Sequence, residues 1–274
     1  MGKKEKTRFL IVWLIITLVF LVGSFVVPSP EKTETVKVMM RDAVLHEENR
    51  CSFFGLMSVS PAMISAMVVS GCLLLAALLI RIFAIPRFKM VPGKFQSAIE
   101  LLVSTFDNLA KTNSPRRNSF LGVYAFGAGV YIFVGTLFEL FGVQVMTISG
   151  HSVSLPAPLS DVNAAISLGV LSYFVIFAGG ILGNGVKGIS LGLKKFSLPL
   201  SMSFRLFGAL LSGLLVTELV YYYASLSYVL PVIVAVLFTL LHALIQSYVL
   251  TLLTTMFYGE LNAPLPKKVK PAKA

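Results

Sequence analysis

Long uncharged blocks alternate with short charged ones along this chain. Phe9–Val27 carries no charge and follows the basic head MGKKEKTR. Further apolar blocks run over about 62–85, 119–145, 161–182, 197–224 and 229–258. Apolar runs of about 18 residues or more with few charges are long enough to cross a bilayer as helices. The stretch FQSAIELLVSTFDNLAK (95–111) is of another kind. Phe95, Ile99, Leu102, Phe106 and Leu109 recur there at helical spacing, while Gln96, Glu100, Ser104 and Asp107 occupy other faces. That pattern predicts an amphipathic helix lying in the membrane interface, or docked by the same face on another subunit.

The pattern as a whole predicts an all-α polytopic membrane protein. It has five to six membrane segments, an interfacial helix and a long C-terminal helical hairpin. Strand-like alternation over ten-residue units is absent, which argues against an outer-membrane barrel. Residues 1–27 form an N-terminal transmembrane segment or a signal peptide, and nineteen uncharged residues suit the span better. Residues 28–61 form a mixed-charge external loop. Residues 62–274 form the membrane domain, closed by the basic, proline-rich tail APLPKKVKPAKA.

Composition sharpens this. Of 274 residues, 56% are hydrophobic and 13% charged, about half the charge of a soluble domain. The net charge of +11 does not describe a nucleic-acid surface, because the basic residues flank the apolar blocks. With the N-terminus inside and six spans, inner segments hold 18 Lys and Arg and outer loops hold 4, Lys32, Lys37, Arg41 and Arg50. This bias puts both termini on the cytoplasmic side. Cys51 and Cys72 make no disulfide framework, and Cys72 reads as packing within the second span.

A few polar groups remain inside the apolar blocks. A charge there costs about 2.5–3.5 kcal/mol on insertion scales and marks an ion path or a paired network. Glu139, near the outer end of the third span, can serve either or reach the headgroups. Asp161, beside Asn163 at the start of the fourth, is an ion-path acid or an N-cap. His242 is a relay group or a helix-packing histidine. Arg205 is harder to absorb. It lies ten residues past Lys195, about 15 Å along a helix, and does not deprotonate. Glu218 lies about 19 Å further on and on another face, so a carboxylate from outside the chain is the natural partner. With the hairpin apex near Leu226, Arg205 and Gln246 fall at nearly one level, with Glu218 and His242 nearer the outside.

Four stretches carry a resemblance. VPGKFQSAIELLV (91–103), PLSDVNAAISLGV (158–170), PLSMSFRLFGALLSG (199–213) and LIQSYVLTLLTTMFY (244–258) resemble, in order, motifs of subunit a of F-type ATP synthases. The resemblance implies ion translocation, most readily of protons, through two half-channels against a rotating c-ring, coupling the ion gradient to ATP synthesis. Arg205 matches the family's essential arginine and Gln246 the glutamine facing it. Asp161 and Asn163 match an acid and asparagine of the outer half-channel. The implied partners are the c-ring, the subunit b stator, the rest of the complex and membrane lipid, with no nucleic acid. No cofactor or metal is implied, and the implied location is the bacterial plasma membrane.

In its two C-terminal segments the chain departs from the family pattern at three positions. Ala209 stands where asparagine is usual, and Leu214 where glutamate is frequent. Thr239 stands where His or Glu is frequent. Glu218 and His242 each lie about one turn from the vacated position, so the expectation is that each relay group has moved one turn. The competing readings are a stand-alone ion channel or secondary transporter, and a membrane anchor without transport. The lack of a phosphate-binding glycine loop, a metal-spaced His pair and a nucleophile elbow argues against a self-contained hydrolase.

Overall fold

The computed structural model describes residues 3–26, 37, 41, 51–53, 57–116, 119–146, 152–222 and 235–264. Its helices are α1 (Lys3–Val26), α2 (Pro61–Leu79), α3 (Lys94–Asn113), α4 (Ser119–Phe138), α5 (Val162–Asn184), α6 (Val186–Lys194), α7 (Ser197–Tyr222) and α8 (Leu241–Asn262). Two short antiparallel hairpins, β1 (Cys51–Phe53) with β2 (Met57–Val59) and β3 (Gln144–Met146) with β4 (Ser152–Ser154), precede α2 and α5. The chain is an all-α polytopic membrane protein. By length and composition, four helical stretches among the described residues suit a bilayer: Pro61–Arg87, Ser119–Phe141, Val162–Asn184 and Val236–Asn262. The apolar side chains of α1 from Leu10 to Val19 are exposed, as lipid contact requires. The expected hairpin apex and the basic tail lie outside the described residues.

The ends of the helices follow local chemistry. Ser60 caps α2 by accepting the Met63 amide, and Pro61 takes the first helical position, where its missing N–H costs nothing. Asp161 caps α5 through the Asn163 amide at 2.8 Å. The third apolar block stops short of Val145. A 3₁₀ turn (Glu139–Phe141) follows α4, and Gly142, with φ of 58°, ends it in a left-handed conformation that favours glycine.

Among the described residues the helices line up in the order α2, α4, α8, α5, α7. Helix α5 packs extensively on both α7 and α8, which touch each other only sparingly. Glycine makes this close approach possible, as small residues do where lipid offers no hydrophobic drive for helix association. A methyl group at Gly169 would overlap Ser203 of α7, and one at Gly179 would strike the Tyr258 ring of α8. Met202, Leu206 and Leu210 of α7, Ala165 and Ile176 of α5, Leu250 of α8 and Ile132 of α4 fill the core between them.

Helix α3 is amphipathic as expected, and only part of its apolar stripe meets the bundle. Phe95 and Leu102 of the expected stripe are exposed, while Phe106 of the same stripe meets the bundle together with Ala110 and Asn113. Phe106 lies over Gly129 and meets Phe126 edge-on at 5.9 Å, and Asn113 Nδ2 donates to Thr255 Oγ1 at 3.0 Å. The helix therefore docks by its C-terminal half on α4 and α8 of its own chain. Cys72 also departs from expectation: it is exposed on α2 rather than packed. The glycine-rich stretch after α5 folds back as α6, where a methyl at Gly192 would overlap the Phe177 ring.

Candidate functional site: an arginine face on α7

Helix α7 has two faces. Met202, Ser203, Leu206 and Leu210 are buried, whereas Ser201, Phe204, Arg205, Gly208 and Ser212 are exposed. The exposed set recurs at i, i+3, i+4, i+7 and i+11, one stripe of a 3.6-residue helix. Arg205 lies in its middle. No hydrogen bond or ion pair reaches its guanidinium among the described residues; the ion pairs there are Lys111 with Asp107 and Lys195 with Glu260.

Gln246 is buried on α8, between Ala243 and Leu250. Helix α5 serves as a common ruler for its height. Gly169 faces Ser203, and α5 and α7 run antiparallel. Gly179 faces Tyr258 and Gly183 faces Asn262, so α5 and α8 run parallel. At 1.5 Å per residue, Arg205 and Gln246 both fall near the level of Ser167, to within about one turn. Asn163 and His242 then share a layer about 6 Å nearer the start of α5. His242 is half-buried, with its Nδ1 3.9 Å from where a Gly213 side chain would begin and its ring 5.9 Å from Phe238.

Asp161 caps the layered arrangement. Its Oδ1 accepts the Asn163 amide, and its Oδ2 accepts the Ser60 hydroxyl at 3.0 Å. The residue that caps α2 is thus tied to the residue that caps α5. Ser60 was not singled out from sequence, because its partner lies 101 positions away. Asn163 is exposed. The half-buried Glu139 lies in the turn after α4, which touches the π-helical lead-in to α8 (Ala235–Leu240) holding the buried Thr239. Glu218 belongs to the helical backbone of α7, and its side chain lies outside the described set.

A family model described as ATP synthase A chain matches residues 64–259, from the first turn of α2 nearly to the end of α8. The chain belongs to the ATP synthase A chain family. It is a membrane-embedded subunit of the Fo sector with a role in ion translocation, and it assembles in the ATP synthase complex.

Membership directs attention to the hydroxyls of the two C-terminal helices. Several of them bond to their own helix. Ser203 Oγ donates to the Pro199 carbonyl, Ser212 Oγ to Ala209 and Thr251 Oγ1 to Ser247. Such back-bonding satisfies a hydroxyl where no water competes. Ser247 differs, because its Oγ reaches across to the Gly129 carbonyl of α4 at 2.8 Å and ties α8 to its neighbour. Lys195 is a second cross-link. Its Nζ meets both oxygens of Glu260 at 2.8 and 3.0 Å and lies 5.2 Å from the Phe257 ring centre.

Proposed function

We propose that this ATP synthase A chain carries ions, most readily protons, between two half-channels at the interface with a rotating c-ring. The coupled product is ATP. The observation that carries this reading is the open cation: Arg205 points out of the bundle on a helical stripe, with no carboxylate of the described residues paired to it. A permanent cation in a low-dielectric setting draws a partner carboxylate into its charged form. A ring carboxylate passing Arg205 releases its proton there, and the fixed charge repels any cation crossing directly between half-channels. Gln246, near the same level, orients by hydrogen bonding and carries no proton itself.

The outer path in this reading runs from Glu139, Thr239 and Asp161 through Asn163 and His242 toward Arg205. Glu218 takes over the relay position vacated at Leu214. Histidine and carboxylates can pass protons, whereas Thr239 contributes only a hydroxyl. The c-ring and the subunit b stator are the partners. The plasma membrane of a bacterium is the location, with both termini cytoplasmic by the Lys and Arg bias. Residues 1–27 are read as a retained span, 28–61 as an external loop and 62–274 as the translocating domain.

The test is Arg205→Ala in membranes that still assemble the complex. ATP synthesis driven by an imposed gradient is expected to be lost, with passive ion leak increased. Normal synthesis in this variant overturns the reading. Co-purification of the chain with no c-ring would return it to a stand-alone channel.

A further inference from the structure

Where α2 leaves the apolar region its last turns loosen into a π segment (Ile80–Ala84) and a 3₁₀ turn (Ile85–Arg87). The loop that follows, together with the start of α3, encloses an open cleft of about 780 Å³. Its lining includes Arg87, Lys89 and Lys94 beside Phe83, Val91 and Phe95, and no carboxylate. All three cations are exposed, and none is paired with a described residue. The loop is held in shape by Gln96. Its Oε1 accepts the Lys89 amide at 3.0 Å, and its Nε2 donates to the Lys89 carbonyl at 2.9 Å and to Glu100 Oε1 at 2.7 Å. One side chain thus clamps both main-chain groups of Lys89 and also holds Glu100.

We propose that this cleft binds the headgroup of an anionic phospholipid, with Arg87, Lys89 and Lys94 on the phosphate and Phe83 and Phe95 against the acyl chains. The site joins two chemistries that a soluble anion does not need together: unpaired cations and exposed aromatic rings at the end of a membrane span. Arginine and lysine at a membrane boundary attract anionic lipid with about fivefold in affinity per cation, and their stems lie along apolar surface while the heads reach the phosphate. An acidic segment of a neighbouring subunit would use the cations and leave the rings uncovered. The proposal does not depend on the ring reading above, because it concerns the opposite end of the helix order from α7.

The experiment uses the purified complex reconstituted in phosphatidylcholine bilayers, with spin-labelled phosphatidylglycerol and phosphatidylcholine as the two probes. The readout is the selectivity of the protein-bound lipid fraction for phosphatidylglycerol. Arg87→Gln/Lys89→Gln/Lys94→Gln is expected to reduce it by about fivefold per cation at low salt, until it reaches unity. Gln96→Leu keeps every positive charge but releases the clamp, and is expected to reduce selectivity several-fold. Lys187→Gln/Lys194→Gln removes charge elsewhere and is expected to change it by less than about twofold, as a distant site should. Should the triple variant not assemble, Lys89→Gln and Lys94→Gln singly give the same readout. Unchanged selectivity in the site variants, or an equal fall in the control pair, overturns the proposal. So does cross-linking of Lys89→Cys to an acidic neighbouring subunit in place of lipid.

Discussion

Lys195 and Arg205 are two cations ten residues apart on one stretch of chain, and the structure treats them oppositely. Lys195 is closed, held by both oxygens of Glu260 and set beside the Phe257 ring. Arg205 is open, on the exposed stripe of α7 with no partner among the described residues. Lys195 thus meets a carboxylate of its own chain, 65 positions away. The unpaired one is left available to something that arrives from outside. Leaving a charge unpaired at membrane depth is costly, and an interaction formed during turnover is the reading that accounts for that cost.

The contrast can be broken most sharply by closing Arg205. Ser201 lies one turn before it on the same exposed stripe. Ser201→Glu creates an i,i+4 carboxylate–arginine pair, the favourable order for a helix. Gradient-driven ATP synthesis is expected to fall by about a hundredfold, as when a preorganised electrostatic group is removed, although Arg205 is still present. Retention of full synthesis would mean that an available arginine is not what the complex needs. Gln246→Leu tests the neighbouring level. Loss of an orienting hydrogen bond is expected to slow proton pumping about tenfold, equal to ~1.4 kcal/mol of barrier, with assembly of the complex unchanged on native gels.

A smaller effect is expected from the relay. His242→Ala and Glu218→Gln, measured by pumping in inverted vesicles, are each expected to slow flux several-fold, well below the about 10²–10⁴-fold attached to a sole acid–base group, because other relay groups remain. Unaltered flux in both would return them to helix packing. The least effect belongs to the closed cation. Lys195→Gln removes a partly exposed pair worth about 0–1 kcal/mol, and ATP synthesis should stay within about twofold of the parent. A collapse of synthesis there would erase the distinction between the two cations.

The membrane spans and the amphipathic helix were legible because burial in lipid or against a bundle imposes a long-range periodicity that residues display one by one. The stretch of α3 that docks was not. Its most apolar stripe includes Phe95 and Leu102, but the helix packs through Ala110, where a small side chain lets it approach Gly122 of α4. The π-helical lead-in at Ala235–Leu240 also escaped, and a count of 3.6 residues per turn does not carry through it. The facing directions of Thr239 and Gln246 cannot then be taken from one α-helical wheel. The two hairpins and α6 are too short for periodicity to register.

The sequence alone determined that this chain lives in a membrane, where its charges fall along the apolar blocks, and that Arg205 has no local acid to neutralise it. Those are properties of composition and of neighbours within a few turns. Only the tertiary structure decided which polar groups are already spent. Ser60 is bonded to Asp161, Ser203 and Thr251 to their own helices, and Lys195 to Glu260. It also decided that α5 stands between α7 and α8, so that the level of Arg205 against Gln246 is set through glycine contacts on a third helix. Pairing and height depend on packing between segments far apart in the chain, and no local pattern encodes a distance between helices.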